Sequence, residues 1–194
     1  DAVGGRLCYL PQGVDHPHFA GPAHPVPTAK VIGFFGLLAE WVDGALIAAA
    51  ARACPDWTFE FVGPTRQVPP GLADVPNVVL KPGVPYAALP QAIARWRAGW
   101  VPFEVSTLTD GVNPLKLREY LAAGLPAAST PLPEAVSLGD EVTIVRSAAD
   151  VARWVRSVVD ADTDAQRAAR REAMRAHGWA ARARTLRDAL GATA

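Results

Sequence analysis

The 194-residue chain is short of several things, and each shortage closes off a class of protein. It has two cysteines, Cys8 and Cys54. Their spacing suits neither a zinc site nor a C-x-x-C redox pair, and two thiols make no disulfide framework, so a reducing cytosol fits them. It has no excess charge, since Lys and Arg total 19, as do Asp and Glu. A nucleic-acid binder needs a basic face, and an extended footprint of that kind is not expected. No apolar run reaches membrane-spanning length, and the first residues carry no signal-peptide pattern. An opening Met is missing as well, so the sequence reads as a piece of something longer. The motifs G-x-S-x-G, H-E-x-x-H and the Walker loop are all absent.

Hydrophobic residues make up 50% of the chain and charged residues 20%, the composition of a globular domain with a full core. Residues 1–30 are rich in proline. "GRLCYLPQGVD" has room for a short strand, and "HPHFAGPAHPVP" reads as irregular. From Lys30 the rhythm changes. "KVIGFFG", "WTFEFVGP", "NVVLKPG", "AGWVPF", "LPAAST" and "EVTIVRS" read as buried strands. Between them, "DGALIAAAARACP", "PYAALPQAIARW", "NPLKLREYLAAG" and "AADVARWVRSVVDA" read as helices. Alternation of this kind predicts an α/β fold, a doubly wound parallel sheet covered on both faces. We expect an irregular lead-in and linker over 1–30, the Rossmann-like domain over 31–162, and a helical tail over 163–194. The tail is rich in Ala and Arg, and an amphipathic helix of this type is expected to pack on protein.

Ligands of such sheets bind beyond the carboxyl ends of the strands. That rim collects Gly36, Gly63 to Arg66, Lys81 to Tyr86, Phe103 to Asn113 and Thr130. The stretch "DGVNPLKLREYLAAGLP" stands out on it. With Pro114 as first helical residue and Asn113 as N-cap, a helix begins just after a glycine-containing turn. Free N–H groups and the positive end of the helix dipole then face the loop Asp110-Gly111-Val112-Asn113, and Lys116 adds a formal charge. The plain alternative is a capped helix with Lys116 in water. Glu119 shares a face with Lys116, whereas Leu115, Leu117 and Leu121 point elsewhere. Its carboxylate suits two vicinal hydroxyls; the alternative is an i, i+3 ion pair with Lys116.

Other candidates weigh less. "GFFGLLAEW" fails the dinucleotide test, because Gly33 and Gly36 do not supply G-x-G-x-x-G and no acid closes the next strand. A nicotinamide or flavin cofactor is not expected. His16 and His18 lack a third ligand, so they read as surface residues and no metal is expected. Trp96 and Trp100, between arginines, read as packing at the edge of the sheet rather than as base-stacking residues.

Taken in order, "YLPQGVD", "IGFFG…WVD", "FEFVGP", "NVVLKPGVPYAALP", "WVPF" and "NPLKLREYLAAGLP" resemble the C-terminal, donor-binding half of a bacterial GT-B glycosyltransferase. The likeness is nearest to the large retaining family that builds surface polysaccharides, and it runs from about residue 7 to 180. "P-x-K-x-x-E-Y-L-A-x-G-x-P" is its most specific piece. The resemblance implies a nucleoside diphosphate sugar, on uracil or guanine, held in a cleft between two Rossmann-like halves without metal or cofactor. It places the diphosphate or sugar near Gly36, and the base on backbone groups of Gly83 and Val84 with Tyr86 nearby. The ribose hydroxyls go to Glu119, and the diphosphate and sugar to Gly111, Val112, Asn113 and the following helix, with Lys116 assisting. Two features depart from the family. Relatives carry a second glutamate where Gly111 stands, and the nearest acid here is Asp110. Their R-x-x-x-x-K after the first strand is replaced by "LAEWVD", which leaves phosphate neutralisation to Lys116, Arg66 or the helix dipole.

The resemblance further implies a partner domain, N-terminal, that carries the acceptor site and the catalytic groups, so this piece alone is expected to bind donor without transferring sugar. It implies a cytoplasmic protein working at the inner face of the membrane. The alternatives are a non-catalytic nucleotide-sugar-binding module and a nucleotide-sugar 2-epimerase of the same fold.

Overall fold

The computed structural model describes residues 9–21, 25–72 and 74–191. Gly5 to Cys8 of the first stretch, where a short strand was expected, lie outside them. Six strands form one parallel sheet: β1 (Val31–Phe35), β2 (Thr58–Val62), β3 (Val78–Lys81), β4 (Ala98–Val101), β5 (Ala127–Ser129) and β6 (Val142–Ile144). Their order is β3-β2-β1-β4-β5-β6, with Val31 opposite Thr58 and Gly99 opposite Ala127. The chain winds outward from β1 to β3, returns beside β1 as β4, and winds out the other way. The switch point therefore falls between β1 and β4. Loops leaving these two strands diverge, and a crevice opens there.

The helices are α1 (His16–Ala20), α2 (Gly44–Ala53), α3 (Leu89–Ile93), α4 (Leu115–Ala122), α5 (Pro133–Ser137), α6 (Ala148–Trp154), α7 (Asp164–Met174) and α8 (Trp179–Gly191). In one group α2 packs with α6; in another, α4 packs with α1 and α7. Asp43 caps α2, its carboxylate accepting the N–H of Leu46 at 2.8 Å. The alanines of α2 let it approach closely, and Ala48, Ala50 and Ala51 are buried.

Trp96 and Trp100 do not sit at the sheet edge. Both are fully buried, because β4 is central and its flanks are covered. Trp96 lies against Gly33, where a Cβ would come within 2.0 Å of the ring, and Tyr120 lies against Gly99 at 2.3 Å. Two strand glycines thus make room for two large rings. Truncating rings buried this deeply costs about 3–5 kcal/mol.

"HPHFA" is helical rather than irregular. Asp15 accepts the N–H of His18 at 3.3 Å, and Pro17 falls in the first turn, where its missing N–H breaks no bond. The tail divides. Helix α7 starts on a capping box of Thr163 and Gln166 and packs on α4. Arg167 from α7 is buried, paired with Asp162 at 2.7 Å and donating to the Arg97 carbonyl at 2.9 Å. Helix α8 buries no residue within this chain. It is made largely of alanine and arginine, and its Trp179, though laid against Gly13, remains more than half exposed. No helix among the described residues is long and apolar enough to cross a membrane.

Candidate functional site

Helix α4 leaves the loop after β4 and runs back beside the sheet, which brings its start to the crevice. Its position is fixed from below. Tyr120 is buried, and its hydroxyl accepts the N–H of Phe35, the last residue of β1, at 3.2 Å. One turn earlier, Lys116 therefore lies over Gly36. A Cβ on Gly36 would meet Lys116 Cε at 2.4 Å and Nζ at 3.0 Å. Gly36 also has φ +137°, a conformation that a side chain disfavours. The Lys116 amine sits 5.6 Å above the Phe34 ring. Burial pulls its pKa down, against the attraction of Glu119. The solvent-facing alternative for Lys116 does not describe it.

Glu119 is 5% exposed. Burial pushes its carboxyl from the ordinary 4.5 up to about 7, with Lys116 pulling the other way. Among the described residues no hydrogen bond or ion pair reaches its side chain. The i, i+3 pair with Lys116 is not formed. A largely buried carboxylate with no protein partner beside a half-buried amine leaves both groups open to a ligand.

The other wall of this face is aromatic. Tyr86, in a 3-10 turn before α3, is 50% exposed. His18 stacks on it at 4.4 Å, and its Nε2–H donates to the Tyr86 carbonyl at 3.0 Å. The Tyr86 hydroxyl is shifted up by burial first, then by the charges of Asp15 and Glu119. Gly83 and Val84 lie exposed on the preceding loop, with Gly83 against Pro64. His16, by contrast, turns inward and donates to the Arg171 carbonyl at 2.7 Å. No group of three or more metal-ligating side chains occurs among the described residues.

The turn before α4 differs from expectation in one respect. Asn113 is not the N-cap; the helix begins at Leu115 with Pro114 at the cap position and no side-chain cap. The Asn113 carbonyl oxygen is taken instead by Arg118, whose Nη1 donates to it at 2.8 Å. Asp110 and Gly111 are exposed, and Val112 is half-buried. Thr109 organises the approach to this turn, donating to the Glu104 carbonyl and accepting the Ser106 N–H at 2.9 Å. Arg66 stands apart, exposed and 3.7 Å from Glu40. The structure thus brings Lys116 onto Gly36 with Glu119 one turn on, seats Tyr86 against His18 and Phe19, keeps Asp110 to Asn113 at the helix start, and leaves Arg66 on the surface. Of three cavities of about 310 to 440 Å³, one is bounded by Asp110 to Asn113, one touches Val84 and one touches His18; neither Lys116 nor Glu119 lines them.

A six-stranded parallel sheet with its switch point at this crevice defines a Rossmann-like α/β domain, consistent with one half of a GT-B fold. Residues 44–188 match the model of the glycosyl transferase-like family, and the chain belongs to that family. It is 36% identical over 107 residues to TuaH of Bacillus subtilis (strain 168), a glycosyltransferase assigned to teichuronic acid biosynthesis. That match covers 53% of this chain and 27% of TuaH. Among solved structures, AviGT4, a glycosyltransferase involved in avilamycin A biosynthesis, superposes with TM-score 0.72 at 18% identity, covering 95% of this chain and 57% of that one. HepE of Anabaena, solved with UDP and glucose, gives 0.61 at 16% identity, over 84% and 48%. The chain therefore spans about a quarter to a little over half the length of these relatives.

Proposed function

We propose that this domain binds a nucleoside diphosphate sugar and forms the donor half of a glycosyltransferase in polysaccharide or glycoconjugate synthesis. The observation that carries this is the couple of half-buried Lys116 over Gly36 and buried Glu119 one turn on, neither bonded to another side chain among the described residues. The amine and the helix start suit a diphosphate, and the carboxylate suits ribose hydroxyls. The aromatic and backbone groups of Gly83 to Tyr86 lie on the base side. HepE, which shares the fold, was solved with UDP.

In this reading the helix dipole and Lys116 stabilise the departing diphosphate, the role a metal takes in other architectures. The acceptor and the proton-transfer groups belong to a second domain, and transfer needs both held in contact. The test is a titration with UDP, GDP and ADP, followed by backbone amide NMR. Shifts are expected at residues 110–120, at Gly36 and at Gly83 to Tyr86. No shift at millimolar nucleotide, or shifts confined to Gly36, would overturn the assignment.

A further inference from the structure

Helix α4 has a second polar face. Arg118 lies two residues from Lys116, about 200° round the helix, and so points away from Gly36 toward α5. It is 2% exposed. One arm of its fork donates to Asn113 Oδ1 at 2.8 Å, the other to Glu134 Oε1 at 2.5 Å. The second oxygen of Glu134 accepts the Tyr9 hydroxyl at 2.6 Å. Burial opposes ionisation of Glu134, but the bonds from Tyr9 and Arg118 outweigh it and hold the carboxyl below its usual range. The result is a chain of contacts from Tyr9 through Glu134 and Arg118 to the turn at Asn113. Beside it lies an open depression of about 390 Å³, bounded by Asp110 to Asn113, Tyr9 and Glu134.

The chemistry of the Arg118–Asn113 contact fixes more than a distance. A guanidinium has donors and no acceptor, so only the amide's oxygen faces it. The NH2 group of Asn113 is thereby turned the other way, and no hydrogen bond from it occurs among the described residues. Asn113 does not cap α4; its side-chain oxygen goes to Arg118. Its amide is committed to presenting a donor from the turn.

We propose that Arg118 is a positioning residue that shapes the Asp110–Asn113 turn and aims the Asn113 NH2 at a hydroxyl of the donor's sugar. This rests on the donor-binding reading above. It separates two tasks on one helix. Lys116 and Glu119 face the nucleotide, and Arg118 acts through Asn113 on the sugar.

The test uses three variants of the whole chain: Arg118→Lys, Arg118→Met and Asn113→Asp. Each is titrated with UDP and UDP-glucose, and with GDP and GDP-mannose. In both Arg118 variants affinity for the sugar nucleotide should fall by about three- to tenfold more than affinity for the bare nucleotide, the value of one hydrogen bond. Amide resonances of Gly111, Val112 and Asn113 in the free protein should move, with those of Gly36 and Tyr86 in place. Asn113→Asp keeps an acceptor for Arg118 but loses the NH2. Its turn resonances should stay close to wild type apart from residue 113, and its sugar preference should still fall. Glu134 keeps its Tyr9 bond in each case, and thermal unfolding checks that the variants fold. An unchanged ratio of the two affinities in the Arg118 variants, with wild type binding nucleotide, overturns the positioning role alone. Unmoved turn resonances also overturn it. Wild type binding none of the four ligands overturns the donor reading and with it the sugar role.

Discussion

Two glutamates are buried in this domain, and they have opposite surroundings. Glu60, on β2, is 2% exposed and fully engaged: it accepts the indole N–H of Trp96 at 2.9 Å, pairs with Lys81 at 3.0 Å, and pairs with Arg95. Glu119, on α4, is nearly as buried and has no partner, so its carboxyl is pushed up to about 7. The first ties Trp96 and β3 to the sheet. The second destabilises the fold at neutral pH and has no evident structural benefit. A carboxylate this far sunk, bonded to no protein group and with its pKa raised by burial, marks a candidate functional site.

The comparison breaks most visibly at Glu60. Glu60→Ala strands the Trp96 N–H and leaves Lys81 and Arg95 without their counter-ion. Removing one partner of a buried pair costs about 3–5 kcal/mol, and the lower end applies because both cations can rehydrate. Urea unfolding should show a loss of about 3 kcal/mol with nucleotide affinity preserved in the folded fraction. A loss under about 1 kcal/mol would show that Glu60 is not the tie described here.

Glu119→Gln should do the reverse. A carboxyl whose folded pKa is raised from 4.5 to about 7 contributes fully below pH 4.5, and that contribution is lost as pH rises through 7. At pH 8 the wild type bears the cost of a buried charge, on the order of 2–3 kcal/mol at 1.36 kcal/mol per unit. The glutamine variant should be more stable than wild type by up to that amount at pH 8 and equal to it at pH 4. Nucleotide affinity should fall about tenfold or more, since hydrogen bonds to a charged group are worth about 1.5–3 kcal/mol. Stabilisation without loss of affinity would leave Glu119 as a mere defect of packing.

Much of this is legible in the amino-acid sequence. Strand and helix alternation gave the doubly wound sheet, and "NPLKLREYLAAG" gave α4 together with its stop at Gly124, which has φ +84°. The Lys116–Glu119 face followed from helical spacing alone. What stayed hidden depended on partners far away in the chain. Glu60 reads as one polar residue in an apolar strand until Trp96 and Arg95 come beneath it. Arg118 and Asn113 are five apart, a separation at which no helix rule predicts contact, and Glu134 enters only by topology. The proline-rich lead-in misled because Pro17 falls where a helix tolerates it. His18 was set aside for lack of metal partners, whereas its role is to stack on Tyr86.

The smallest expected effect is also the most diagnostic. At pH 6 a carboxyl of pKa near 7 is mostly protonated. To accept two ribose hydroxyls it must be ionised, so binding should expel most of one proton at pH 6 and almost none at pH 8.5. Affinity should then rise by somewhat under tenfold between pH 6 and 7 and level off above. The ligand must not titrate in this range. A free nucleoside diphosphate has a terminal phosphate with a pKa near 6, whereas a sugar nucleotide has none, so the sugar nucleotide is the right probe. Lys116 gives an effect of opposite sign, since a diphosphate raises an amine's pKa and so draws protons in rather than releasing them. His18 lies on the same rim, so the control is Glu119→Gln. Calorimetry in two buffers of different ionisation enthalpy counts the protons. Release by wild type and not by the variant assigns the proton to Glu119. Equal release by both places it elsewhere and removes the contrast with Glu60.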